Sequence, residues 1–269
     1  MIKIFKVSIF ILFAIFISSK IVFAQLTFWE RTNVINNNIN NIFSLVVTNN
    51  GDLWAGSDNG IYLSTNNGNT WVQKGSIRIS SMAIGPSGYI FAGTGGDGLY
   101  LSADNGENWI KVDIPSLSYI YDILTTPSGE VYLGTGTGIY YSSDNGYPGT
   151  WVEKNNGVIS IVFSLALGID GTLYAGEASG VYRSTNGGDD WLQCVYTEAQ
   201  VQDLTISSDG SIFAAATYRG IFKSTDKGLT WNQVNTGFRS GYSSYRIIYN
   251  PVTQHLVTGS SRIYMSTDL

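Results

Sequence analysis

Side chains able to carry acid–base or metal chemistry recur in this sequence at one spacing. Ser102, Asp104 and Gly106 are followed by Trp109; Ser142, Asp144 and Gly146 by Trp151; Ser224, Asp226 and Gly228 by Trp231. A carboxylate close to a hydroxyl in a glycine loop could ligate a cation or move a proton. Two further copies argue against both roles. Ser64, Asn66, Gly68 and Trp71, then Ser184, Asn186, Gly188 and Trp191, repeat the pattern with an amide in place of the acid. Asparagine keeps the acceptor oxygen and loses the charge. The shared requirement is therefore a hydrogen-bond acceptor, which a tight turn needs. The Asp104 loop also lacks the dense oxygen spacing of a calcium loop. The expectation is five structural turns, with no catalytic residue, no metal ligand and no cofactor among them. His255 is the only histidine and Cys194 the only cysteine, so His-rich metal sites and an internal disulfide are excluded. Cys194 reads as a small apolar residue of a strand.

The elements that position these turns follow from their period. Tryptophans 71, 109, 151, 191 and 231 are spaced by 38, 42, 40 and 40 residues. About 40–45 residues suits one four-stranded blade of a propeller. In each repeat a strand runs into a glycine turn, as in "SLVVTNNGD" and "SMAIGPSGY", and a second strand ends on small residues, as in "LWAG" and "IFAG". A third strand opens at Gly60, Gly98, Gly138, Gly180 or Gly220 and ends at the serine of the turn; the fourth starts at the tryptophan. Connections are short and carry Gly, Asn, Asp or Pro, and no stretch has sustained helical periodicity. The fold class expected is all-β, a propeller of four-stranded antiparallel blades. A tryptophan folded back on its blade buries up to about 250 Å² of ring, worth several kcal/mol at ~25 cal/mol per Å².

The run S-x-D-x-G-x-T-W is similar to the Asp-box, or bacterial neuraminidase repeat. The chain thereby resembles sialidases, sortilin-type receptors, xyloglucanase-like glycosidases and the photosystem II stability/assembly factor family. Five copies in register cover about 200 residues. The resemblance implies a propeller but spans enzymes, receptors and assembly factors. Sialidase-like chemistry would require an arginine triad, a tyrosine nucleophile and a carboxylic acid, with a Phe/Tyr-Arg-Ile-Pro motif ahead of the first box. Arg31 is the only arginine before Ser64, and Tyr245-Arg246-Ile247-Ile248 is misplaced and lacks the proline. Xyloglucanase-like enzymes pair two propellers about a cleft, and this chain has room for one. The reading is a non-catalytic binding or assembly scaffold, with a glycoside hydrolase as the alternative.

The ends have their own pattern. Lys3 and Lys6, the apolar run Val7 to Ser18 and the small residue Ala24 describe an export signal over residues 1–24. The apolar run is far shorter than the ~20 residues a membrane-spanning helix needs. Export to the periplasm or cell exterior is expected, without an integral membrane segment after cleavage. Loss of Lys3, Lys6 and Lys20 leaves 12 basic against 20 acidic residues, a net charge of −8. Such a surface does not suit nucleic acid, and the chain is expected to act as a monomer. Blades are placed near 42–75, 79–113, 120–155, 161–195, 201–235 and 245–269. Trp29 lies 42 residues before Trp71, and "WERTN" matches "WVEKN" at Trp151. Residues 26–33 are therefore expected to complete the last blade, which removes a free strand edge.

Antiparallel alternation puts the boxes on one face and the inter-blade loops, with the turns between second and third strands, on the other. The second set varies more, and variable loops on a rigid scaffold carry binding. It includes Arg78, Tyr119, Tyr121, Glu198, Arg239 and Tyr245, and Glu177 from a turn. Ser44, Ser81, Asp122, Ser164, Asp203 and Arg246 hold one position in successive first strands and are placed at the pore entrance. The candidate binding residues are Asp122, Asp203, Tyr218, Arg219, Tyr242 and Arg246, for a protein or glycan partner.

Overall fold

The computed structural model describes residues 41–115, 119–158, 160–196, 199–238, 245–259 and 263–266. The expected export signal, the 26–33 strand, Glu198, Arg239 and Tyr242 lie outside the described residues. Blade one is β1 (Ile42–Val47), β2 (Leu53–Ser57), β3 (Gly60–Ser64) and β4 (Val72–Gly75); blade two is β5 (Ile79–Ile84), β6 (Ile90–Thr94), β7 (Leu99–Ser102) and β8 (Ile110–Val112). Blade three is β9 (Ile120–Thr125), β10 (Val131–Thr135), β11 (Gly138–Ser142) and β12 (Val152–Glu153); blade four is β13 (Val162–Leu167), β14 (Leu173–Glu177), β15 (Gly180–Ser184) and β16 (Leu192–Tyr196). Blade five is β17 (Val201–Ile206), β18 (Ile212–Ala216), β19 (Gly220–Ser224) and β20 (Asn232–Gln233); blade six contributes β21 (Arg246–Asn250), β22 (His255–Gly259) and β23 (Ile263–Ser266).

All pairings are antiparallel and follow chain order, so each blade is a meander. The chain is a six-bladed β-propeller, with the first strands of successive blades packed side by side from β1 to β21 at its centre. No helix is present among the described residues. The core is not inside the blades but between them: each of five apolar clusters joins residues of two adjacent blades. Two small-residue positions permit this approach. A Cβ on Gly56 of β2 would come within 2.5 Å of Ile79, which opens the next blade. One on Gly106, in the second box, would come within 2.5 Å of the Trp54 ring.

The boxes close as the acceptor argument requires, with a part for the serine that the sequence reading did not assign. In the first box Asn66 Oδ1 accepts from Thr70 N–H (2.8 Å) and from Ser64 Oγ–H (3.0 Å), while Gly68 N–H donates to Ser64 Oγ (2.9 Å). Asp104, Asn186 and Asp226 repeat this geometry, so acid and amide act alike. The third box is two residues longer, and Ser142 Oγ bonds Thr150 Oγ1 instead (2.6 Å). The residue before each box glycine is also left-handed: Asn67, Asn105, Asn145 and Lys227 have φ of 57°, 58°, 49° and 61°. Asparagine tolerates that region better than most residues.

The tryptophans correct one expectation. Trp71 and Trp231 fold onto their own boxes, each donating Nε1–H to the glycine carbonyl (3.1 Å). Trp109 and Trp191 reach across the seam and donate to Lys74 O and Lys154 O of the preceding blade (3.0 Å each). They join blades rather than only stapling turns. The physical reason is that blades bury apolar area against one another.

Two substitutions separate these contributions. Trp191 is buried at the blade three–four seam, and Trp191→Ala should cost ~3–5 kcal/mol. Asp226→Asn should barely alter stability near neutral pH, because Asn66 already makes the same bonds. Urea denaturation giving the reverse order would contradict the account of the boxes.

Candidate functional site

The pore-facing column is built from the first strands. Ser44 Oγ accepts from Met82 N–H (3.0 Å), Asp122 Oδ2 from Leu165 N–H (2.7 Å), Ser164 Oγ from Leu204 N–H (3.1 Å) and Asp203 Oδ2 from Ile247 N–H (2.9 Å). At the remaining described junction Ser80 Oγ donates to Ile120 O (2.6 Å). Each bond runs from one blade to the next. The innermost strands of neighbouring blades do not form a shared ladder, so these side chains satisfy backbone groups that would otherwise be orphaned beside the pore.

The two acids have a second bond each: Asp122 Oδ1 accepts from Ile123 N–H (2.9 Å) and Asp203 Oδ1 from Leu204 N–H (3.0 Å). Protein surrounds both carboxyls, and the pore gives them only partial access to water. Burial pushes Asp203 up to about 6, opposed by the nearby Arg246 guanidinium and by the Ile247 N–H, while the charge of Asp122 pushes the same way as burial. Burial also raises Asp122, opposed by the N–H groups of Leu165 and Ile123 and by Arg246. Asp122, Asp203 and Arg246 therefore form one charged group on blades three, five and six. Arg246 is exposed and reaches Gln202 O (3.5 Å).

Around this column lies an aromatic collar. Phe43, Tyr121, Phe163 and Tyr245 each stand one residue before a pore position. Tyr121 stacks on Tyr119 (4.4 Å between centroids) and meets Phe163 edge-on (5.0 Å). The Arg78 guanidinium sits over Phe43 (5.8 Å) and, with Tyr119, lines a rim depression that also includes Ile77 and Asp97. Phe43 and Phe163 were not singled out from the sequence. Their signal was available: an aromatic in four of six copies of one strand-one position.

Tyr218 and Arg219 lie in the β18–β19 turn, which Thr217 N–H ties to Gln200 O (2.9 Å). Tyr218 is 73% exposed and holds φ of 60°, an unusual backbone for a bulky residue. Glu177, expected at the rim, is instead fully buried, where Oε2 accepts from Ser179 N–H (3.0 Å) and Oγ–H (2.6 Å). Cys194 lies in β16, and burial raises its thiol to about 11, so it is not a ready nucleophile. No group of His, Cys, Asp and Glu among the described residues is arranged to hold a metal ion.

The pore acids set a pH dependence of defined sign. A carboxyl raised in the fold contributes stability that is complete below its unfolded pKa, near 4, and is lost as pH rises through the folded value. For Asp203 that loss spans about pH 4 to 6. Asp203→Asn should flatten this part of the thermal-midpoint profile. Arg246→Ala should move it to higher pH, because the guanidinium favours the ionised acids. An unmoved profile in the arginine variant would contradict the charged group described here.

No family model matches the sequence, and no curated protein sequence matches it. Solved structures share the fold. The extracellular domain of a putative one-component system from B. thetaiotaomicron superposes with a TM-score of 0.71 at 18% identity, covering 86% of this chain and 33% of that one. YCF48 bound to a D1 peptide gives 0.65 at 18% identity, over 84% and 78% of the two chains. A GH74 xyloglucanase from Xanthomonas campestris gives 0.75 at 15% identity, over 89% and 47%. The chain thus spans about a third of the length of the first of these and about half of the third. At such identities the likeness shows the β-propeller fold, shared by binding domains and hydrolases alike.

Proposed function

We propose that the protein is an exported, non-catalytic propeller that captures a protein or glycan partner on the loop face surrounding its pore. The observation that carries this reading is the collar itself. Tyr119 and Tyr121 stack beside Phe163, and Arg78 lies on Phe43 with no carboxylate in ion-pair contact among the described residues. Aromatic rings offer contact area at little entropic cost, and a guanidinium fixes orientation. The export signal expected over residues 1–24 supports a location of this face outside the cytoplasm. YCF48, seen with a bound peptide, provides a precedent for a propeller of this kind acting by binding.

The Asp122 and Asp203 pair favours a second reading, glycoside hydrolysis, since two carboxyls with raised pKa values can serve as acid and base. Their oxygens accept backbone N–H groups across blade seams, which suits a fixed structural bridge better than proton transfer to a substrate. Release of reducing sugar from xyloglucan or of sialic acid from a sialoside by the purified protein, abolished by Asp203→Asn, would establish hydrolysis instead.

The binding reading is tested by face-selective substitution. Joint replacement of Arg78, Tyr119 and Tyr121 by alanine should leave the fold intact with only a modest drop in the thermal midpoint, since none of the three belongs to an apolar cluster between blades. It should reduce affinity for a ligand found by glycan array or envelope pull-down at least tenfold. Tyr218, Arg219 and Arg246 changed together should give a smaller loss, and Glu107 with Lys227, on the box face, none. Equal losses from both faces would discard the assignment.

A further inference from the structure

Arg78 stands one residue before β5 and Tyr119 one residue before β9, so equivalent places in adjacent blades hold a guanidinium and a ring. Both line the rim depression, whose volume is about 430 Å³, together with Ser76, Ile77 and the start of the turn after β6. That turn reads Gly95-Gly96-Asp97. The turn of equal length in blade five carries Thr217, Tyr218 and Arg219 instead. Glycine makes the difference at its first position. Gly95 bridges to Tyr119, and a Cβ there would come within 2.9 Å of the Tyr119 ring. Without one, the ring settles against bare backbone and becomes a wall of the depression.

The polar groups around this space are chiefly donors. Arg78 is exposed, its guanidinium lies over the Phe43 ring, and no carboxylate makes an ion pair with it among the described residues. Contact through the flat face leaves the N–H edge of the fork unused. Asp97, the one acid in the wall, does not answer it. Its Oδ1 accepts from Lys111 Nζ (2.7 Å) and its Oδ2 from the Tyr100 hydroxyl (2.6 Å). Those bonds hold the Asp97 carboxyl below the usual range. The hydroxyls of Ser76 and Tyr119 have no hydrogen-bond partner among the described residues.

Taking the collar as the capture surface proposed above, we propose that this depression receives the carboxylate of a single uronic-acid residue within a glycan. The Arg78 fork donates to both carboxylate oxygens. The hydroxyls of Ser76 and Tyr119 bond those of the sugar, which like them both donate and accept, and Ile77 meets its C–H edge. Size favours a sugar over a protein surface. A space of about 430 Å³ suits a small ligand, whereas a protein partner covers ~800 Å² on each side. Charge favours an isolated carboxylate over a dense polyanion, because the chain without its expected signal keeps 12 basic against 20 acidic residues. Neutral sugars next to the uronate meet the rings of Tyr121 and Phe163.

Matched acid and ester probes test this by titration calorimetry on the full exported chain. The probes are xylotriose and galactotriose, each carrying one hexuronate, and the methyl esters of both. At least one acid should bind at least tenfold more tightly than its ester. Arg78→Gln should remove that preference at an unchanged thermal midpoint, and Arg78→Lys, which keeps the charge but not the fork, should retain only part of it. Tyr121→Ala should weaken acid and ester by the same factor, which reports the collar apart from the carboxylate. Equal binding of acid and ester, or a preference that survives Arg78→Gln, would overturn the assignment and leave the collar reading standing if Tyr121→Ala still weakens both. Binding of neither glycan would overturn it as well, while the collar reading, which also admits a protein, is decided by its own triple replacement. Tighter competition by acetylated tetraglutamate than by either uronate would give the depression to a peptide instead.

Discussion

A single propeller blade has two faces and no interior, so the constraint on which this structure depends is the seam between neighbours. Trp54, Phe91, Tyr132 and Tyr174 stand at one second-strand position in blades one to four, and all are buried. Against them lie Gly106, Gly146, Gly188 and Gly228, the box glycines of the following blades. The box glycine thus has two tasks. It adopts a left-handed backbone that closes its own turn, and it leaves room for a neighbour's ring. A side chain at Gly106 or Gly146 would be strained by the first requirement and blocked by the second, since both Cβ positions come within 2.5 Å of an aromatic carbon. Turn closure and ring packing are coupled through one atom-sized space.

The centre of the ring meets a different problem with polar groups. First strands approach too closely for large side chains and are too divergent for a shared ladder, so serine hydroxyls and aspartates link them. Serine does this without charge. Aspartate can accept from two N–H groups with separate oxygens, as Asp122 and Asp203 do. The desolvation this entails is visible in their raised pKa values, and Arg246 offsets part of it. An acid in a pore is easily read as a catalytic group. Here its bonds point along the ring into the scaffold, while Arg78, Tyr119 and Tyr245 of the surrounding loops are exposed.

This distinction shows what the sequence could and could not convey. The period of the tryptophans identified equivalent residues, hence the fold, the strand order and the turns. It also placed Asp122, Asp203 and Arg246 in one column. Periodicity is silent on which side of a blade meets which neighbour, so Trp109 and Trp191 read as staples of their own turns, and Glu177 read as a rim residue. The contact of Gly106 with Trp54 joins residues 52 positions apart in different repeats, and neither residue signals its partner locally. Phe43 and Phe163 were legible only as members of a column, because a lone aromatic beside a serine on a strand reads as core.

The division of labour between faces follows from the same packing. Four boxes hold their hydrogen bonds within the turn, and glycines there abut the preceding blade. Few changes on that face leave both closure and seam intact, which limits the surfaces it can offer. The opposite face is constrained only where first strands begin. Its turns accept Tyr218 in a left-handed conformation, a buried glutamate at 177 and linkers of unequal length. Variation tolerated by the scaffold is therefore concentrated around the pore mouth, and recognition chemistry can accumulate there without loosening the ring.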